Sequence, residues 1–353
     1  MTETSGGHTS DTDHASAAAR PRRRRAWWPW VKWSLCVAVV VFVVRRASRY
    51  WEQDGASLAQ LSLEWRWLFP AIVTYLAGWL PSVWFWQRMM ERMGARLRWR
   101  DTARAYYCGH LGKYVPGKAT VLVIRSALIR ERGFAVAPAA LTVTYETLAM
   151  MGSGCAVAAA LAPELIPQDR LDALPGWVLS LLSPPWVPAI LVLLSTAAVL
   201  PLISIVFTQI ARRMTPAELL VEGRTPQIDS ILLAGGLAAF VISWMLHGLS
   251  LGCTLRAVGA SEVTLADWPA WTGAVSFSTA IGFAVLFAPG GIGVREGLMI
   301  EALRAQPHLS SEHAVAATVL LRILWLAAEV IAAGGLYYCI RPAKKADLPT
   351  AET

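Results

Sequence analysis

Apolar residues run along this chain in blocks that are too long for a soluble core. Stretches free of Asp, Glu, Lys and Arg extend over Trp67–Gln87, Ala173–Ala211, Ser230–Leu255 and Trp268–Val294. Each exceeds the roughly 20 residues that cross a hydrocarbon core of about 30 Å. Trp27–Val44 and Phe134–Ala162 carry one charge apiece, Lys32 and Glu146, and Ala314–Ile340 carries only Arg322 and Glu329. The pattern predicts an all-α polytopic membrane protein and excludes a soluble enzyme built around one core.

Two apolar segments are broken. In Ala105–Gly133, His110, Lys113, Lys118 and Arg125 interrupt the run, and Gly109, Gly112, Pro116 and Gly117 fall where a continuous helix would pass. In Trp268–Arg304 the break is Ala288-Pro289-Gly290-Gly291-Ile292-Gly293. Loop charge then orients the spans, because Lys and Arg collect on the cytoplasmic side. Arg20 and Arg22 to Arg25 precede the first span, six Arg from Arg88 to Arg104 follow the second, and Arg125, Arg130 and Arg132 leave the first broken segment. That segment therefore enters and leaves on one side, as a re-entrant helix pair hinged at Pro116-Gly117; the alternative is an amphipathic helix on the inner leaflet. Glu164, Asp169 and Asp172 suit the outer face, Arg212, Arg213 and Arg224 the inner one, and Arg341, Lys344 and Lys345 place the C-terminus in the cytoplasm.

With a second re-entrant pair hinged at Pro289, Gly290, Gly291 and Gly293, the count closes at six crossing helices plus two re-entrant helix pairs. The half-repeats, 26–163 and 173–340, each hold three crossings, so they are inverted relative to one another. Inverted repeats with matching discontinuous helices point to a substrate site near the bilayer midplane. Residues 1–25 read as a disordered basic tail with no secretory signal, 26–340 as the transmembrane domain and 341–353 as a cytoplasmic tail.

Composition agrees: 55% of the 353 residues are hydrophobic and 16% charged. The net charge of +8 is explained by loop topology, so no nucleic-acid partner is expected, and the 17 Trp suit interfacial anchoring. Five scattered Cys read as small core residues and supply no metal spacing. No P-loop, zinc motif, nucleophile elbow or aspartate cluster is present, so no cofactor, metal or catalytic residue is assigned and no enzyme activity is expected.

The remaining chemistry lies inside the apolar spans. Half-helix N-termini attract phosphate, and Lys or Arg adds charge. Lys113, Tyr114, Pro116, Gly117, Lys118 and Arg125 describe an inner-leaflet cationic pocket, with Pro289, Gly290, Gly291, Gly293, Arg295 and Glu296 its outer counterpart. The glycines alone also suit close helix packing. Glu146, Arg322 and Glu329 lie deep in spans, where charge is costly unless paired. Glu146 and Arg322 occupy similar places in their halves, so they would pair with each other, or Arg322 would bind phosphate while Glu146 carries a proton or orients an Arg. The alternative for all three is a salt bridge that fixes packing. His247 reads as a packing residue.

Gly109 to Lys118 followed by Arg125, and the Pro-Gly-Gly-x-Gly-x-Arg-Glu-Gly string from Pro289 to Gly297, resemble the signatures of the lysylphosphatidylglycerol synthase transmembrane, or flippase-like, family. Arg322 fits the same pattern. The resemblance spans about 26–340 and implies an inner-membrane domain that moves a modified phospholipid between leaflets, its re-entrant helices facing a central cavity. Full-length synthases add a soluble aminoacyltransferase domain; after Ile340 only 341–353 remain, so aminoacyl transfer is not implied. The expected function is a lipid translocator or lipid-binding protein handling a phosphate-bearing lipid, either a phospholipid or a polyprenyl-phosphate lipid. The alternative is a membrane enzyme or accessory subunit acting on polyprenyl-phosphate-linked sugars, with Glu146 or Glu296 as base, or a scaffold for a separately encoded synthase or glycosyltransferase.

Overall fold

The computed structural model describes residues 62–95, 97–114, 119–131, 134–214, 228–285, 291 and 293–340. The first expected span, Trp27–Val44, and both tails lie outside the described residues. Among these residues every regular element is helical. The helices are α1 (Leu68–Gly78), α2 (Leu80–Arg92), α3 (Trp99–His110), α4 (Ala119–Arg130), α5 (Val136–Ala160), α6 (Gln168–Asp172), α7 (Gly176–Leu182), α8 (Trp186–Met214), α9 (Ser230–Ala257), α10 (Trp268–Ala284), α11 (Val294–Arg304) and α12 (Ser311–Cys339).

Four stretches are long and apolar enough to cross a membrane: Trp65–Arg92, Trp186–Arg213, Ser230–Ala257 and Ser311–Cys339. The first is α1 and α2 run together, with a turn at Trp79 just before Pro81. Proline in a first turn surrenders a donor the helix would not have used. At 25 residues α5 is also long enough to span, but Thr142, Thr144, Tyr145, Glu146 and Thr147 make its middle polar. The chain is thus a multi-pass, all-helical membrane protein.

Helix α9 is the hub. It packs on α1, α2, α5, α10 and α12, and its glycines bring it close to two of them, α2 and α10. A Cβ added at Gly236 would collide with the Phe85 ring of α2, one at Gly252 with Trp271 of α10, and one at Gly248 would lie 2.7 Å from the Thr272 Cα. Hydrocarbon gives apolar helices no reason to prefer each other over lipid, so small residues and interhelical hydrogen bonds hold them together. Ser250 Oγ donates to the Ala71 carbonyl at 2.7 Å, and Trp325 Nε1 and Trp244 Nε1 each donate to a serine, Ser250 and Ser153, at 3.0 Å. Helix α8 differs: apart from its contacts with α5, α7 and α9 it shows its apolar side chains outward.

The two broken segments form helix hairpins. The α3–α4 arms pack on each other, as do the α10–α11 arms. Each hairpin also leans on the last long helix of the other half: α3 on α12, and α10 on α5. The Trp residues depart from expectation. Trp65, Trp177 and Trp186 are exposed near helix ends, whereas Trp86, Trp244, Trp271 and Trp325 are buried inside. The cysteines divide as well, with Cys253 buried but Cys155 and Cys339 exposed.

The packing at Gly248 is testable. Gly248→Ala must push α9 off the α10 backbone and is expected to cost about 1–3 kcal/mol; Gly152→Ala, where nothing lies within 4 Å, should leave stability unchanged. Thermal unfolding of the detergent-purified protein separates the two, and equal melting temperatures would contradict this packing.

Candidate functional site

Helix α4 carries Arg125 toward α5. It passes α3 at Gly109, where an added Cβ would collide with the Arg125 Cγ. Beyond that point Arg125 Nη1 donates to Glu146 Oε2 at 2.7 Å, and Tyr106 Oη donates to the other carboxylate oxygen at 2.7 Å. The guanidinium lies over the Tyr106 ring, with Cζ 3.7 Å from its centroid. Arg125 and Glu146 are both 2% exposed. Such a pair survives at that depth because its charges cancel and its oxygens are occupied.

Glu329 of α12 is the second buried anion. Its Oε1 accepts from Lys113 Nζ at 2.5 Å and from the Tyr75 hydroxyl, and His110 Nε2 lies 3.7 Å away. Lys113 belongs to the turn after α3, Tyr75 to α1, so one carboxylate ties three elements together. The Tyr75 ring stacks on Trp325, centroids 4.3 Å apart.

The second hairpin supplies the third pair. Gly291 and Gly293 have φ of +71° and +89°, values that a residue with a Cβ rarely adopts, and they turn the chain into α11. Glu296 Oε2 accepts from the Gly293 N–H at 2.5 Å, and its Oε1 forms an ion pair with Arg322, 2.7 Å from Nε. Arg295 sits beside them, paired with no carboxylate of the described residues. It is 6% exposed, its Cζ lies 4.6 Å from the Trp325 ring centroid, and its Nε and Nη2 have no hydrogen-bond partner. Gly282 of α10 makes room for it, since a Cβ there would stand 3.0 Å from the Arg295 Cβ.

These groups stand around a partly open cavity of about 250 Å³, lined from both hairpins and from α1, α5, α9 and α12. Lys113 and Arg125 reach it from one hairpin, Gly291 and Arg295 from the other. The sequence suggested two separate leaflet pockets; the fold merges their charged residues into one. Its remaining wall is largely aromatic: Tyr75, Trp79, Tyr106, Trp244 and Trp325. Trp79 Nε1, His110 Nε2, His247 Nε2 and Thr279 Oγ1 are buried there without partners. A recess with convergent polar groups on an apolar wall is the usual form of a ligand site.

Of the residues singled out from sequence, Lys113, Arg125, Glu146, Gly291 and Arg295 line the cavity. Glu296, Glu329 and Arg322 stand behind them as partners, and Gly293 shapes the turn. Pro116, Gly117, Lys118, Pro289 and Gly290 lie outside the described residues. The suggested Glu146–Arg322 pair is not made, because each has another partner: Arg125 from hairpin one, Glu296 from hairpin two. His247 does pack, its ring 4.7 Å from Trp79 and 5.3 Å from Tyr75, but its Nε2 also faces the cavity. Sequence reasoning missed Tyr75, Trp79, Tyr106, Trp244, Thr279 and Trp325. Aromatic residues at span centres, rather than ends, were the available signal.

The family described as lysylphosphatidylglycerol synthase TM region matches residues 25–333. No curated protein matches the chain.

The Arg125–Glu146 pair makes its own prediction. Arg125→Ala leaves Glu146 buried without its countercharge and is expected to destabilise by about 3–5 kcal/mol, whereas Arg125→Met combined with Glu146→Leu should recover most of the loss. Denaturant unfolding of the three proteins decides it; a double variant as unstable as the single one would refute the account.

Proposed function

The chain belongs to the lysylphosphatidylglycerol synthase TM region family, and from that premise we propose that it is a lipid translocator, moving a phosphate-bearing lipid between leaflets through the cavity between the hairpins. One observation carries the reading. Among the described residues, Arg295 is a buried guanidinium on the cavity wall with no carboxylate partner, beside neighbours whose charges are all matched. An unmatched charge in hydrocarbon is costly and marks a functional position. An anionic headgroup would supply the missing charge, and the planar guanidinium suits a phosphate. The aromatic wall would lie along the apolar part of the lipid.

The same proposal includes the topology: six crossings, two re-entrant hairpins, inverted halves, and termini in the cytoplasm of an inner membrane. Three features support it. Each hairpin leans on the last long helix of the other half, each has a glycine in its first arm that admits an arginine from its second, and each second arm forms an ion pair with the crossing helix that follows. Rocking of the halves about the hairpins would then expose the cavity to either leaflet in turn.

Two measurements test this. In proteoliposomes, Arg295→Gln is expected to reduce translocation of a fluorescent phospholipid at least about tenfold, since it removes a charge-assisted contact of roughly 1.5–3 kcal/mol; undiminished flipping would sink the site. For the topology, cysteines placed at Arg100 and Glu131, on either side of the first hairpin, should both react with an impermeant maleimide from the cytoplasmic face. Labelling from opposite faces would show that the hairpin crosses.

A further inference from the structure

The charges around the cavity have a definite balance. Among the described residues the cluster holds four cations, Lys113, Arg125, Arg295 and Arg322, and three carboxylates, Glu146, Glu296 and Glu329. Three ion pairs consume three of each: Lys113–Glu329 at 2.5 Å, Arg125–Glu146 at 2.7 Å and Arg322–Glu296 at 2.7 Å. One positive charge is left over, on Arg295. Lys113, Arg125, Glu146 and Arg295 line the same cavity, with Glu329 and the Glu296–Arg322 pair behind them, so the groups act as one cluster. The carboxylates cannot readily release a second cation. Both oxygens of Glu146 accept hydrogen bonds, Glu296 Oε2 accepts from Gly293 while its Oε1 pairs with Arg322, and Glu329 Oε1 holds Lys113 and Tyr75, its Oε2 having no hydrogen-bond partner among the described residues.

Resting on the lipid-site reading above, we propose that the cavity selects for charge as well as for phosphate: it is built to take one negative charge, a phosphodiester, and to discriminate against a phosphomonoester. A phosphodiester brings a single negative charge, and with Arg295 the cluster becomes neutral. A phosphomonoester above its second ionisation, near pH 6, brings up to two. Among the described residues the second charge would meet no free cation, and it is opposed by both desolvation and the three nearby carboxylates. Trp79, His110, His247 and Thr279 each offer one more polar atom to the headgroup, but none adds a fixed charge.

The test uses full-length protein in detergent at pH 8.5, titrated with dioctanoyl phosphatidylmethanol and dioctanoyl phosphatidate, which differ by one methyl and one charge, with bound lipid read by native mass spectrometry. Wild type is expected to favour the phosphatidylmethanol by at least about tenfold, the scale of one uncompensated like charge. Glu296→Gln keeps an acceptor for the Gly293 N–H but frees Arg322, so the cluster carries two positive charges and the preference should reverse toward phosphatidate. Combining Glu296→Gln with Arg322→Gln restores one positive charge and should restore the original preference, which separates a charge effect from misfolding. Equal or tighter phosphatidate binding by wild type, or a preference unmoved by Glu296→Gln, would overturn the charge selection while leaving the lipid site standing. If Arg295→Gln binds both lipids as wild type does, the lipid-site reading fails instead.

Discussion

A charge taken into hydrocarbon must be cancelled, and the interior of this protein is arranged around that requirement. Glu146, Glu329 and Glu296 each hold one cation; two of the pairs join consecutive helices, and Lys113–Glu329 joins elements 216 residues apart. Such pairs contribute little net stability compared with an apolar core of the same shape, because desolvation offsets their attraction. Their effect is on arrangement. With Lys113 on Glu329 and Arg125 on Glu146, the first hairpin can sit in only one register against α12 and α5. The hairpin positions are thereby specified more by electrostatics than by hydrophobic packing, which between helices in lipid is indifferent.

Close approach is the second half of the arrangement. Gly109 and Gly282 do more than let helices touch: each admits the root of an arginine into the space between two hairpin arms. A side chain at either position would push the guanidinium away from the cavity. Hairpin glycines and hairpin arginines are therefore one feature, and the glycines cannot be read as packing alone. The hub helix α9 follows the same logic with apolar partners, Gly236 to Phe85 and Gly252 to Trp271.

Much of this was legible in the sequence. Long charge-free runs gave the helices their positions, Pro-Gly clusters marked where α3–α4 and α10–α11 break, and the scarcity of charge inside spans made Arg125, Glu146, Arg295, Arg322 and Glu329 stand out. Pairing was not legible. Glu146 and Arg322 share a place in their half-repeats, yet partners are set by which helices adjoin, and α4 lies against α5 whereas α11 lies against α12. The aromatic wall was hidden for a different reason. Tryptophan is common both at bilayer interfaces and in cores, and only the crossing of α1, α9 and α12 reveals that Trp79, Trp244 and Trp325 face inward.

The sign of the ion pairs explains why one arginine is left free. In the first hairpin the cation is on the hairpin, Arg125, and the anion on the next crossing helix, Glu146; in the second the anion is Glu296 and the cation Arg322. Consecutive residues on a helix point about 100° apart, so neighbours in sequence do not face one another. Arg295 and Glu296 therefore diverge, the first into the cavity and the second toward α12. Were the second hairpin to repeat the first, with an acid on α12 near Arg295, the cavity would carry no net charge and have no electrostatic reason to admit an anion. Arg322 prevents this by occupying Glu296 and by excluding an acid from its own position. Under the proposed function its part in anion binding would thus be indirect: it keeps Arg295 available without touching what Arg295 would bind.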